Sequence, residues 1–246
     1  MLAPLLDLLY PKRCAGCGGG GWPFCTECRS SLVPLLPPAC ERCGRPSEEP
    51  LPSCADCPPP AIDSARAPFL YRGPARVALH RLKFSGWRAV AEVLGAAMAS
   101  VNEFRADAVT WVPLSASRRA RRGYDQARAL AGAVAPVLGL PCVPMLARVR
   151  DTPAQARRAG PDRRLAMRGA FRFAGRGPPP ARVLLVDDVL TTGATAGECA
   201  RVLRSAGVRR VGLLVAARAL SEPLPARCYT RRDSRLSLWL PGERPR

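Results

Sequence analysis

The stretch VLLVDDVLTTGAT, residues 183–195, decides the fold. Its leading apolar run is continuous rather than alternating, the pattern of a strand covered on both faces of a parallel sheet. Two carboxylates, Asp187 and Asp188, emerge at the C-terminal end of that strand, where open α/β sheets bind their ligands. TTGAT then opens a helix. Hydroxyls and a glycine let the backbone close around an anion, and the free N–H groups of the first turn point into the loop. Acidic groups beside an anion cradle conflict for a simple anion and agree for a ribose phosphate: the sugar hydroxyls donate to carboxylates while the loop donates to the phosphate. A core strand followed by a capped helix would also place threonine here, but paired aspartates at a strand end are costly without a ligand or a metal.

Working outward, strand and helix patterns alternate. SARAPFLY (64–71), AVTWVPL (108–114), PCVPMLAR (141–148), AFRF (170–173), ARVLLVDDVL (181–190) and RRVGLLVAARA (209–219) read as strands. PARVALHRLKF (74–84), RAVAEVLGAAMASVNEF (88–104), ARALAGAVAPVLG (127–139) and the segment after TTGAT read as helices. This alternation predicts an α/β domain built on a parallel sheet with flanking helices. The composition changes after the PPP at 58–60. The expected organisation is therefore a module over 1–60, the α/β domain over 61–220 and a Pro/Arg-rich, loosely ordered tail over 221–246. The opening MLAPLLDLLY is apolar but short and carries Asp7, so it reads as a brief amphipathic helix. No apolar run reaches the roughly 18–20 residues of a membrane span, and the expectation is a cytoplasmic protein.

Eight of the 11 cysteines form four CxxC pairs: Cys14/Cys17, Cys25/Cys28, Cys40/Cys43 and Cys54/Cys57. A CxxC turn places two thiolates on one side of a knuckle, and two knuckles complete a tetrahedron around Zn2+. Eight ligands make two structural zinc sites. Sequence order favours Cys14, Cys17, Cys25 and Cys28 for one and Cys40, Cys43, Cys54 and Cys57 for the other; the spacing is also compatible with an interleaved pairing. A disulfide framework would call for a secretory signal, and none is evident. The Pro-rich stretches between the pairs hold too few apolar residues to fold alone, so metal binding and folding should coincide. Cys142, Cys199 and Cys228 stand singly and are expected as small buried hydrophobes.

The string 183–195 resembles the phosphoribosyl-pyrophosphate (PRPP) signature of type I phosphoribosyltransferases. Together with the cysteine knuckles, LYRGPARVALHRLKFSG, WVPLSASRRARRGYDQA, RVRDTPAQ and RRLAMRGAF extend the likeness to nearly the whole chain, from about residue 10 to 218. The chain is similar to the ComF family, whose members join an N-terminal double zinc ribbon to a phosphoribosyltransferase-type domain. Several members are linked to DNA uptake in natural competence, and others have no settled role. The resemblance implies Asp187 and Asp188 on the ribose hydroxyls, Thr191, Thr192, Gly193, Ala194 and Thr195 around the 5′-phosphate, and Mg2+ held mostly by the ligand's pyrophosphate and water. It also implies that the segment after Val112-Pro113-Leu114 faces the pyrophosphate. Arg118, Arg119, Arg121 and Arg122 lie there, in a segment expected as a mobile flap, and Lys83 is a further candidate.

Local departures accompany the likeness. The family usually reads RGFNQ where this chain has Tyr124 and Asp125; Ala166 stands where Asn is common, and Arg158 near a usual Leu. Purine-salvage phosphoribosyltransferases usually carry Asp at the position of Thr191. A threonine is no general acid or base near neutral pH, which argues against purine salvage. His80, the single histidine, reads as a packing residue, and so does Trp111. Two functional readings stand side by side. One is a phosphoribosyltransferase with its acceptor and catalytic residues open. The other is a non-catalytic single-stranded-DNA-binding or adaptor protein that senses PRPP and meets competence proteins.

Charge sharpens the picture. The chain carries 38 Lys+Arg against 19 Asp+Glu, a net +19. Only Lys12 and Lys83 are lysines, and with 27 Pro and abundant Ala this arginine excess looks like codon bias in part. Residues 1–60 hold 5 basic and 6 acidic groups, whereas 115–182 holds 15 Arg against Asp125, Asp151 and Asp162. The positive field belongs to the α/β domain, beside the expected pyrophosphate site.

Overall fold

A computed structural model of the chain describes residues 13–151, 165–222 and 224. The stretch expected as a short N-terminal helix, the TPAQ segment, Arg158, Cys228 and nearly all of the tail lie outside these residues. Strands β1 (Ser64–Arg66), β2 (Phe69–Leu70), β3 (Ala108–Trp111), β6 (Arg182–Leu190) and β7 (Arg210–Arg218) form one sheet. Its order is β1-β7-β6-β3, with β2 also on β7, and every pairing is parallel. β4 (Leu146–Arg148) and β5 (Phe171–Phe173) make a separate antiparallel pair. Six helices with described bounds accompany the strands: α1 (Thr26–Ser30), α2 (Gly73–Phe84), α3 (Val90–Ser100), α4 (Ala116–Arg122), α5 (Gln126–Val137) and α6 (Ala194–Ser205).

The two-residue alternation of β6 explains the layers. Leu184 and Val186 face a core with α2, α3 and α5, while Val183 and Leu185 face a second core with α6 and the β4–β5 pair. Each core reaches into the cysteine-rich module. Cys14, Ala15, Phe24 and Leu32 pack into the first, and Cys40 and Cys43 into the second.

Three elements differ from the sequence pattern for local reasons. The strand expected over 64–71 splits at Pro68, which has no N–H to donate and whose carbonyl accepts from the Leu35 N–H at 3.0 Å. The helix expected over 88–104 ends at Ser100, because the Asn102 side chain bonds both the N–H and the carbonyl of Phe104 and turns the chain. The strand expected over 141–148 shrinks to β4; Pro141 and Pro144 cannot donate, and Cys142 makes a single bridge to Val109. That edge position leaves Cys142 exposed, correcting the expectation of a buried thiol, while Cys199 is fully buried as expected. His80 is exposed, its ring 4.6 Å from that of Phe84.

Candidate functional site

The C-terminal ends of β3, β6 and β7 open into a cavity of about 240 Å3. Parallel register puts Trp111 beside Val186, so Val112, Pro113 and Leu114 leave the sheet next to Asp187. Asp187 and Asp188 both line the cavity. The Asp187 side chain accepts the Asp188 N–H at 2.8 Å. Lys83, from the last turn of α2, reaches Asp188 with Nζ 2.8 Å from Oδ2, and both side chains are largely buried. Burial opposes the Lys83 charge, and the Asp188 carboxylate overcomes it and raises the ammonium pKa. Asp187 goes the other way: burial and the charge of Asp188 push its carboxyl up to about 8.

The loop after β6 brings Thr191, Gly193, Ala194 and Thr195 to the cavity wall, whereas Thr192 is exposed and does not line it. Gly193 is left-handed (φ 70°) and caps α6, accepting the Gly197 N–H at 2.7 Å. The Thr195 hydroxyl lies 3.6 Å from the Met167 sulfur.

The basic candidates divide. The segment expected as a flap contains helix α4, closed by left-handed Gly123 donating to the Arg119 carbonyl. Arg118 and Arg122, one turn apart, line the cavity with Lys83; Arg119 and Arg121 are not on its wall. Arg148, at the end of β4, also lines it and was not singled out by the sequence. Burial lowers the pKa of both Arg122 and Arg148, and the charge of Arg118 lowers each further. Mutually repelling guanidiniums around one cavity favour an anion between them. Asp125 has a local duty: it caps α5, accepting from the Arg128 N–H at 3.2 Å and the Leu114 N–H at 2.9 Å. Asn serves equally well at a helix N-cap, which accounts for the interchange at this position.

The eight paired cysteines gather as Cys14, Cys17, Cys25, Cys28 and as Cys40, Cys43, Cys54, Cys57, with the sulfurs of each group within 4.8 Å of one another. The grouping is sequential, not interleaved. Neighbouring sulfurs stand 3.4–3.9 Å apart. The edge of a tetrahedron with Zn–S of about 2.3 Å is about 3.8 Å, so these donors fit Zn2+ and are too far apart for disulfides. Backbone N–H groups point at the sulfurs, as knuckles require: Gly16 and Cys25 on Cys14, Cys54 on Cys57.

Residues 5–58 match the double zinc ribbon domain family. The chain is 31% identical over 209 residues to competence protein F of Haemophilus influenzae, covering 80% of this chain and 90% of that one. It is 28% identical over 215 residues to DNA utilization protein YhgH of Salmonella typhimurium, covering 81% and 92%. Against competence protein ComFC of Streptococcus pneumoniae the figures are 25% over 193 residues, 76% and 84%. Among solved structures, it is similar to the allosteric regulatory enzyme of purine biosynthesis, with TM-score 0.38 and 23% identity over 61% of this chain and 30% of that chain. Among the described residues no helix is long and apolar enough to cross a membrane.

Proposed function

The chain belongs to the family of competence protein F, and from that premise we propose that it binds PRPP through a phosphoribosyltransferase-type site and serves DNA uptake or nucleic-acid metabolism in the cytoplasm. One observation carries this reading: a single cavity is walled by two adjacent carboxylates, a glycine-centred loop at a helix N-terminus, and Lys83, Arg118, Arg122 and Arg148. A bare phosphate would use the bases and be repelled by the acids. A diol-bearing sugar with phosphates at both ends uses every group.

In this reading Asp187 and Asp188 take the ribose hydroxyls, and the 191–195 loop takes the 5′-phosphate with backbone N–H groups and threonine hydroxyls. Arg118, Arg122 and Arg148 face the pyrophosphate. Asp188 is already paired with Lys83, so the donor set suits a Mg2+ held mainly by ligand oxygens and water, where it would neutralise charge on the pyrophosphate. The carboxylates also lie where positive charge would develop on the sugar ring if the pyrophosphate departs. The acceptor is open. A thermal-shift titration tests the pocket: saturating PRPP with Mg2+ raises Tm, since a ligand at 100 times Kd adds about 2.7 kcal/mol. Asp187→Ala and Asp188→Ala suppress the rise, and a wild-type protein indifferent to PRPP refutes the reading. Pyrophosphate release with a panel of acceptors then separates transferase from sensor.

A second reading, a single-stranded-DNA-handling protein that senses PRPP, is favoured by the arginine–aromatic pairs near the cavity. Arg122 lies over Phe84 at 4.8 Å and Arg88 over Tyr124 at 4.9 Å, and Phe84 is 58% exposed. Stacking rings beside guanidiniums suit bases and backbone phosphates together. Binding of an oligonucleotide across a salt series tests it, with affinity expected to fall steeply as salt rises.

A further inference from the structure

We propose that the second zinc site is the buttress of the phosphate loop, with Arg42 and Pro59 as its positioning residues. The proposal rests on the reading of residues 191–195 as a phosphate cradle. A continuous set of contacts runs from the sulfurs to that loop. Arg42 lies inside the knuckle between Cys40 and Cys43, and its carbonyl accepts the Ala65 N–H of β1 at 2.8 Å. Its Nη2 donates to three carbonyls, those of Pro58 at 2.8 Å, Pro59 at 3.0 Å and Ile62 at 3.2 Å. The turn that directly follows the last ligand, Cys57, is thereby pinned to the knuckle.

The prolines of that turn lie against the loop. A Cβ built on Gly193 would come 3.0 Å from Pro59 Cδ and 3.2 Å from Pro58 Cβ; one built on Gly197 would come 2.6 Å from Pro59 Cγ. Both glycines therefore serve an approach from behind the loop, on the zinc side, and Gly193 serves its left-handed turn as well. A second strut reaches the other end of the loop. Arg218, 1% exposed, donates to the carbonyls of Cys43 at 2.6 Å and Asp56 at 2.5 Å. It is the register partner of Leu190, the last residue before the loop.

The first zinc site is tied elsewhere. Arg81 of α2 donates to the Cys14 carbonyl at 2.7 Å, and a Cβ on Gly16 would come 3.0 Å from Pro74 of the same helix. α2 carries Lys83. Each zinc site thus holds a different wall of the cavity: the first the lysine arm, the second the phosphate loop. Cysteine ligands fixed by metal hold the knuckles that present Arg42, Pro58 and the Cys14 carbonyl that Arg81 grips.

The test uses the full chain with both metals bound and two readouts, amide hydrogen exchange at 193–197 without ligand and ribose 5-phosphate binding by calorimetry. Pro59→Ala and Arg42→Met keep two zinc per chain, speed exchange at 193–197 and weaken ribose 5-phosphate by about tenfold, the scale on which displaced support is felt. Arg81→Met leaves exchange at 193–197 unchanged. Unchanged exchange in both Pro59→Ala and Arg42→Met, or an equal effect of Arg81→Met there, overturns the buttress. A wild-type protein that does not bind ribose 5-phosphate overturns the phosphate-loop reading, and the exchange data then judge the buttress by themselves.

Discussion

Lys83 Nζ stands 2.8 Å from Asp188 Oδ2, joining the end of helix α2 to the end of strand β6 across the floor of the cavity. The pair leaves one carboxylate of two with a counter-charge and makes the lysine a ligand-side residue at the same time. Lys83→Met keeps the aliphatic stem and removes the charge. Asp188 is then left largely buried without its cation, so urea denaturation at pH 7 should show a loss of about 1–3 kcal/mol. PRPP binding should weaken in parallel. A variant as stable as wild type with unchanged affinity would refute the role of the pair.

Asp187 dictates a pH dependence whose sign is opposite to that of an ordinary salt-bridged carboxylate. Its folded-state pKa lies at about 8, raised by burial and by Asp188, while an unfolded Asp titrates near 3.9. Between these values the folded chain holds a proton that the unfolded chain has released, so stability from this group is full below about pH 4 and falls as pH rises towards 8. Asp187→Asn stays neutral throughout. The Tm difference, variant minus wild type, should grow from pH 5 to pH 8 and level off above it. A difference that is flat with pH would show that Asp187 is ionised in the folded protein.

The parts of this molecule that were legible in its sequence are those set by neighbours along the chain. Strand β6 and its terminal carboxylates follow from an apolar run, and the zinc ligands follow from CxxC spacing. The sequential grouping required the structure, because spacing admits two pairings. Arg148 was not legible: the β4–β5 pair lies off the main sheet and carries that arginine to the cavity by tertiary packing. The sorting of the four arginines of 118–122 was available in principle. Read as a helix, Arg118 and Arg122 fall on one face; read as a flap, the segment has no faces. Nothing local announced that Pro58 and Pro59 would stand behind Gly193 and Gly197.

That sorting makes a selective prediction. Arg118→Ala, Arg122→Ala and Arg148→Ala remove cations from the cavity wall and should each weaken pyrophosphate binding by about tenfold, the worth of one charge-assisted hydrogen bond. Arg119→Ala and Arg121→Ala should leave it within about twofold. If any of these five arginines serves a nucleic-acid backbone instead, its variant lowers oligonucleotide affinity and flattens the salt dependence without changing pyrophosphate binding.

Zinc removal should unfold more than the N-terminal module. Cys14 belongs to the core that contains α2, α3 and α5, and Cys40 and Cys43 to the core that contains α6. Arg218 and Arg81, from the α/β part, satisfy knuckle carbonyls. Loss of either metal therefore opens a core, and loss of the second also takes the carbonyl acceptors from the buried Arg218 guanidinium. A chelator strong enough to strip both ions should lower Tm by more than about 10 °C, consistent with the large share of folding energy that structural zinc supplies. Cys43→Ser, at a buried ligand beside Arg218, should cost more than Cys17→Ser at an exposed one. Zinc analysis should return two ions per chain, and a folded protein with fewer than one would contradict the two-site arrangement.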